Sequence, residues 1–254
     1  MRLELPEFRQ RQAEIVILAS ILITGKEQGN RPLPEVVQAN IASFKEHHRT
    51  LEHRFFTGEA ARAILQSRFG AEVVSAFDSL KPYAYKADLA RYCILHEHGG
   101  VYADLSYFFQ RPVNFDGRRL AVFRDFMSSS PWDTCNGIFA APPGHKALAK
   151  AIELVCANVR KQYYGPSSLC PTGPTLFGKA IALTCEAEEL IMGRSMWREP
   201  SNADEPKLHC MMSFGQMIAI KRKTMPGSMT ELGISTGNNY HELWTARDVY
   251  GASA

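Results

Sequence analysis

The chain has 254 residues, 45% hydrophobic and 22% charged, which excludes wholesale disorder and allows one sizeable α/β domain. Its formal net charge of +3 suits an anionic ligand such as a diphosphate, or weak contact with an anionic membrane surface, and falls short of the clustered basic footprint of a nucleic-acid binder. Six cysteines at positions 93, 135, 156, 170, 185 and 210 form no close pair, which excludes a disulfide scaffold or a C-x-x-C zinc or redox centre and reads as free thiols of a reducing cytoplasm.

In chain order, the first apolar run is Ile15 to Ile23, about half the length of a membrane-spanning helix. Glu4, Glu7 and Glu14 count against a signal peptide, so the run reads as a buried strand. Glu35 to Lys45 carries Val36, Val37, Ile41 and Phe44 at helical spacing. Leu51 to Phe56 is a second strand, and Thr57 caps a helix to about Phe69 that Gly70 ends. Pro82 precedes a helix from about Tyr85 to Glu97, stopped by Gly99 and Gly100, and Val101 to Asp104 follows as a strand. Strands at Leu120 to Phe123 and Ile138 to Ala141 come next, then helices at Lys146 to Val159 and Thr175 to Leu183. They are separated by a Pro-, Ser- and Gly-rich loop from Pro166 to Pro174. Glu186 to Pro206 reads as polar and irregular, and the run Lys221, Arg222, Lys223 as a solvated turn. Alternating strands and helices predict an α/β sheet flanked by helices, in a single domain.

On the helix before Gly99, Asp88, Arg91 and Tyr92 fall three and four residues apart and share a face. By themselves they fit a surface ion pair. On the following strand, Asp104 and Ser106 lie two apart and point the same way from its C-terminal end, where open α/β sheets gather ligands. A carboxylate there can hold a hard divalent cation, although an Asp opening a turn is also ordinary.

The stretch Lys86-Ala87-Asp88-Leu89-Ala90-Arg91-Tyr92, Leu95, Gly99-Gly100-Val101-Tyr102-Ala103-Asp104 resembles the sugar-binding region of DXD-containing glycosyltransferases, specifically glycosyltransferase family 32. That family includes bacterial capsule and lipopolysaccharide transferases. The resemblance implies a GT-A fold with a Rossmann-like, mostly parallel sheet, a donor-binding core over about 12–145 and an acceptor-side and closing segment over about 146–254. It implies a retaining transfer of a hexosyl or N-acetylhexosaminyl group from a UDP- or GDP-sugar to a polysaccharide or lipid-linked glycan, at the cytoplasmic face of the membrane. Asp88, Arg91 and Asp104 would be the catalytic group. Gly100, Tyr102, Asn136 and Trp244 would join them in binding the donor. Asp104, position 106 and His241 would hold Mn²⁺ or Mg²⁺. Position 106 is Ser where the motif has its second acid, so the alternative is a non-catalytic sugar-nucleotide binder or partner subunit.

Outside the core motif, Asn136-Gly137-Ile138-Phe139 resembles the family segment whose Asn reaches toward the donor sugar; a turn residue before a strand is the other reading. Thr172-Gly173-Pro174 resembles a loop on the acceptor side. Asn238 to Trp244 resembles the closing segment, with His241 as a metal ligand and Trp244 as a lid, against an amphipathic terminal helix packed on the core. His96-Glu97-His98 lacks metal-site spacing and reads as an exposed helix end. No Walker loop, G-x-G-x-x-G or G-x-S-x-G occurs, which weakens kinase, dehydrogenase and hydrolase readings.

Overall fold

A computed structural model describes residues 16–25, 32–126, 130–199, 207–224, 227–234 and 237–251. Ile15, the acidic residues before it, and 200–206 lie outside the described residues. The chain runs β1 (Ile17–Leu22), α1 (Glu35–His47), β2 (Glu52–Thr57), α2 (Gly58–Arg68), α3 (Ala71–Ser79), α4 (Tyr83–His98), β3 (Gly100–Ala103), β4 (Tyr107–Phe109), β5 (Leu120–Arg124) and β6 (Thr134–Ala141). It continues through α5 (Lys146–Arg160), α6 (Pro174–Ala182), β7 (Leu190–Arg198), β8 (Leu208–Ser213), β9 (Gln216–Lys221) and α7 (Tyr240–Thr245).

The strands form one sheet in the order β2-β1-β3-β6-β5-β7-β8-β9-β4. Pairing is parallel at β2-β1, β1-β3 and β5-β7 and antiparallel elsewhere, so the α/β sheet is mixed. Its central strands are apolar on both faces because helices and loops cover both. In β1, Ile17, Ala19 and Ile21 face the α2–α6 layer, while Leu18 faces Phe44 of α1 on the other side. The same alternation sends Tyr102 and Phe139 to the first layer and Val101, Ala103 and Ile138 to the second.

Local chemistry sets the boundaries near the site. Thr57 caps α2, its hydroxyl accepting the Ala60 N–H at 3.2 Å. Gly99 ends α4 at φ +64°, and Gly100 follows at φ +112°. A Cβ on Gly100 would stand 1.9 Å from the Ile17 carbonyl oxygen, so only glycine lets β3 lie this close to β1.

Three expectations change. The segment read as irregular contains β7, because its alternating Ile191, Gly193 and Ser195 are buried between β5 and β8. The end of α4 is not open: His96 is buried against Phe69, and its carbonyl accepts the Gly144 N–H at 2.7 Å. Lys221 closes β9 instead of sitting in a solvated turn. All six cysteines are unpaired.

Candidate functional site

A cavity of about 350 Å³ opens at the carboxyl ends of β1 and β3. Ile21 to Ile23 and Asp104 border it, as expected where parallel strands end beside each other. Asp88, Arg91, Tyr102, Ser106 and Asn136 also line it, so the structure brings together most of the residues singled out in sequence.

The group is a closed network. The Asp88 carboxylate accepts hydrogen bonds from the Asn136 amide at 2.8 Å and the Thr172 hydroxyl at 2.7 Å, and pairs with Arg91 at 3.2 Å. Asn136 also donates to the Tyr92 hydroxyl, which donates to the Thr172 carbonyl. Arg91 spans the middle. Its Nε donates to the Ala87 carbonyl and its Nη1 to the Asn136 carbonyl, and Nη1 lies 3.3 Å from Asp104 Oδ1. The guanidinium stacks 4.6 Å above the Tyr102 ring, whose hydroxyl donates to Asp104 Oδ1 at 2.8 Å. Asp88 and Arg91 are thus buried partners, not the surface pair their spacing alone fits. Asn136 sits inside β6, which removes the turn reading.

Burial raises the Asp88 pKa above its ordinary value, and Arg91, Thr172 and Asn136 only partly offset it. For Arg91, burial opposes the charge, but Asp104, Tyr102 and Asp88 outweigh it and hold the pKa up. The Asp104 side chain is 35% exposed against 10% for Asp88, so Asp104 is the carboxylate open to a ligand. Its backbone N–H donates to the Gly137 carbonyl, and a Cβ on residue 137 would come within 2.6 Å of its Oδ2.

Other positions fall elsewhere. β3 ends at Ala103, and Asp104-Leu105-Ser106 forms a turn closed by the Tyr107 N–H on the Asp104 carbonyl. Asp104 and Ser106 line the cavity through this turn, not through strand alternation. Gly100 does not line it; its role is the approach to Ile17. His241 is exposed, 3.2 Å from the Ser168 hydroxyl, and does not line the cavity. Trp244 packs on the core with its indole N–H donating to the Tyr164 carbonyl at 2.9 Å, outside the cavity wall. Its neighbour Tyr240 takes the lining position, 5.8 Å from the Tyr85 ring, with its hydroxyl pushed by burial up to about 12.

The metal-ligand set implied by the resemblance is therefore not assembled. Among the described residues no three His, Cys, Asp or Glu side chains are grouped to hold a cation. Of the carboxylates lining the cavity, Asp88 is buried in its network, Asp104 is bound by Arg91 and Tyr102, and Asp125 is half-buried. With a neutral Ser106 at the second motif position, these are not grouped into a set that fits a divalent cation held by the protein.

Sequence reading missed two cations that the end of β9 brings to the cavity. Lys221 and Lys223 line the cavity. Burial, helped by Lys221, lowers the Lys223 ammonium to about 8. Its Nζ lies 3.8 Å from the Met229 sulfur.

Residues 34–121, 88 of 254, match the family described as glycosyltransferase sugar-binding region containing DXD motif. Over 78 residues the chain is 32% identical to an uncharacterised glycosyltransferase of Acanthamoeba polyphaga mimivirus, a match covering 31% of each protein. The chain thus spans under a third of that relative's length. Its fold is similar to that of the PaToxG glycosyltransferase, with a TM-score of 0.50 and 14% identity over 67% of this chain and 69% of the other. Among the described residues no helix is long and apolar enough to cross a membrane. The chain has a GT-A-like fold, and its residues 34–121 are similar to a glycosyltransferase sugar-binding region, which supports a glycosyltransferase-like function.

Proposed function

We propose that the protein is a retaining glycosyltransferase of the family 32 type, moving a hexosyl or N-acetylhexosaminyl group from a UDP- or GDP-sugar to a polysaccharide or lipid-linked glycan. The observation that carries this reading is the Asp88–Arg91–Asp104 network facing a cavity at the strand ends. Asp104 meets the donor's hydroxyls. Arg91, with its nitrogens turned to Ala87, Asn136, Asp88 and Asp104, acts as the positioning residue that fixes both carboxylates. In the transfer, the bond from the anomeric carbon to the diphosphate breaks and its electron pair leaves with the nucleoside diphosphate. The acceptor hydroxyl forms the new bond on the same face and gives its proton to the leaving phosphate. Positive charge held near that phosphate lowers the barrier.

The donor-binding core is the part before about residue 145, and the part after it supplies the acceptor side and a closing segment that reaches back to the donor cavity, at the cytoplasmic face of a membrane. Hydrolysis or transfer measured with a panel of UDP- and GDP-sugars tests the reading. Turnover of one donor that Asp104→Ala abolishes is expected; no turnover of any donor by folded protein overturns it. Ser106 favours a second reading, a sugar-nucleotide binder without catalysis, and binding without turnover is its signature.

A further inference from the structure

A divalent cation in such a site neutralises the charge that collects on the departing diphosphate, and a fixed ammonium can do the same work. The wall facing Ser106 is built to place ammonium groups there. β9 runs antiparallel to β4, with Lys221 opposite Tyr107. The chain then passes directly over the degenerate motif, the Arg222 N–H donating to the Ser106 carbonyl at 2.7 Å. This register puts Lys221 and Lys223 on the cavity wall beside the Asp104–Ser106 turn, while Arg222 between them is exposed and stacks on Phe108 at 4.0 Å. Among the described residues neither lysine forms an ion pair. Lys221 lies 5.8 Å from the Tyr107 ring, and Lys223 is half-buried beside a thioether. A half-buried cation with no carboxylate in contact is costly, and an anion entering the cavity removes that cost. Arg91 is already engaged with two carboxylates, which leaves the lysines as the cations free to meet phosphate.

We propose that Lys221 and Lys223 neutralise the donor's diphosphate in place of the second motif acid and its metal, so that this chain binds its nucleotide sugar without a divalent cation. The proposal rests on the reading of the cavity as a nucleotide-sugar site. Its test is calorimetric titration of UDP, GDP and their sugars into the protein in EDTA and, separately, in Mn²⁺, with Lys223→Gln and Lys223→Arg alongside. The expected result is binding whose Kd in EDTA stays within about twofold of that in Mn²⁺, weakened about tenfold by Lys223→Gln and largely kept by Lys223→Arg. Binding that appears only with Mn²⁺ overturns the proposal and leaves the glycosyltransferase reading standing. Equal binding by wild type and Lys223→Gln in EDTA also overturns it. No binding of any nucleotide in either condition overturns both.

Discussion

Along the α4 wall of the cavity each charged group contacts one of opposite sign, whereas along the β9 wall Lys221 and Lys223 form no ion pair among the described residues. The first wall is complete before any ligand arrives. Asp88 has a donor partner for each oxygen, Arg91 bridges to Asp104, and Tyr102 lies beneath the guanidinium. Such a network is stiff, and a stiff wall can hold a sugar in one orientation. The second wall holds charge with no counter-ion in contact, a place a ligand anion can fill. The contrast separates a region that fixes geometry from one that supplies electrostatic attraction.

Breaking the first wall has the largest expected effect. Arg91→Met keeps side-chain bulk but strips the counter-charge from the buried Asp88, and should lower the unfolding free energy by about 3–5 kcal/mol in denaturant titrations. A loss below about 1 kcal/mol would mean the network does not hold this wall together. Thr172→Val is the gentler version. It preserves shape and removes the single donor to Asp88 Oδ2, so a loss of about 1–3 kcal/mol is expected. The two changes share a partner, so the double variant should lose less than the sum.

The second wall should instead reveal itself through pH. In the free cavity Lys223 titrates near 8, lowered by burial, with Lys221 and Arg91 adding repulsion and Asp104 and Glu231 opposing it. A bound diphosphate pulls that pKa back toward the ordinary lysine value of about 10.4. Between the two values binding takes up a proton, so affinity for a nucleotide sugar falls as pH rises, by at most about tenfold per pH unit. Below about pH 7 the lysine is charged in both states and the curve is flat. A Kd constant from neutral to alkaline pH would assign the attraction to some other group; Lys223→Arg should give that flat curve.

The same division explains what was legible in sequence. Asp88, Arg91 and Asp104 stand out because a helix, two glycines and a strand keep them within a short ordered stretch, whereas Gly100, expected at the donor, serves the close approach of β3 to Ile17, which only the strand pairing shows. That Asp88 and Arg91 are buried was not readable, because burial depends on Asn136 of β6 and Thr172 before α6. The lysines were harder still. Three basic residues in a row look like a solvated turn, and only the pairing of β9 with β4 and β8 turns two of them inward. At the C-terminus, sequence resemblance favoured Trp244, and the packing of α7 presents Tyr240 instead.

Trp244 gives the smallest predicted effect. Its indole donates to the Tyr164 carbonyl, and Arg247 lies 5.4 Å from its ring and 4.6 Å from that of Tyr164. Trp244→Phe keeps an aromatic ring on the core and deletes the N–H, so stability should fall by about 0.5–1.5 kcal/mol. Nucleotide-sugar affinity should not change, because the ring borders Tyr164 and the core and not the cavity. A lid predicts the reverse pattern, near-normal stability with weakened donor binding. Tyr240→Phe makes the matching probe from the cavity side: Tyr240 lines the cavity, so loss of its hydroxyl should register in donor titrations while Trp244→Phe stays silent.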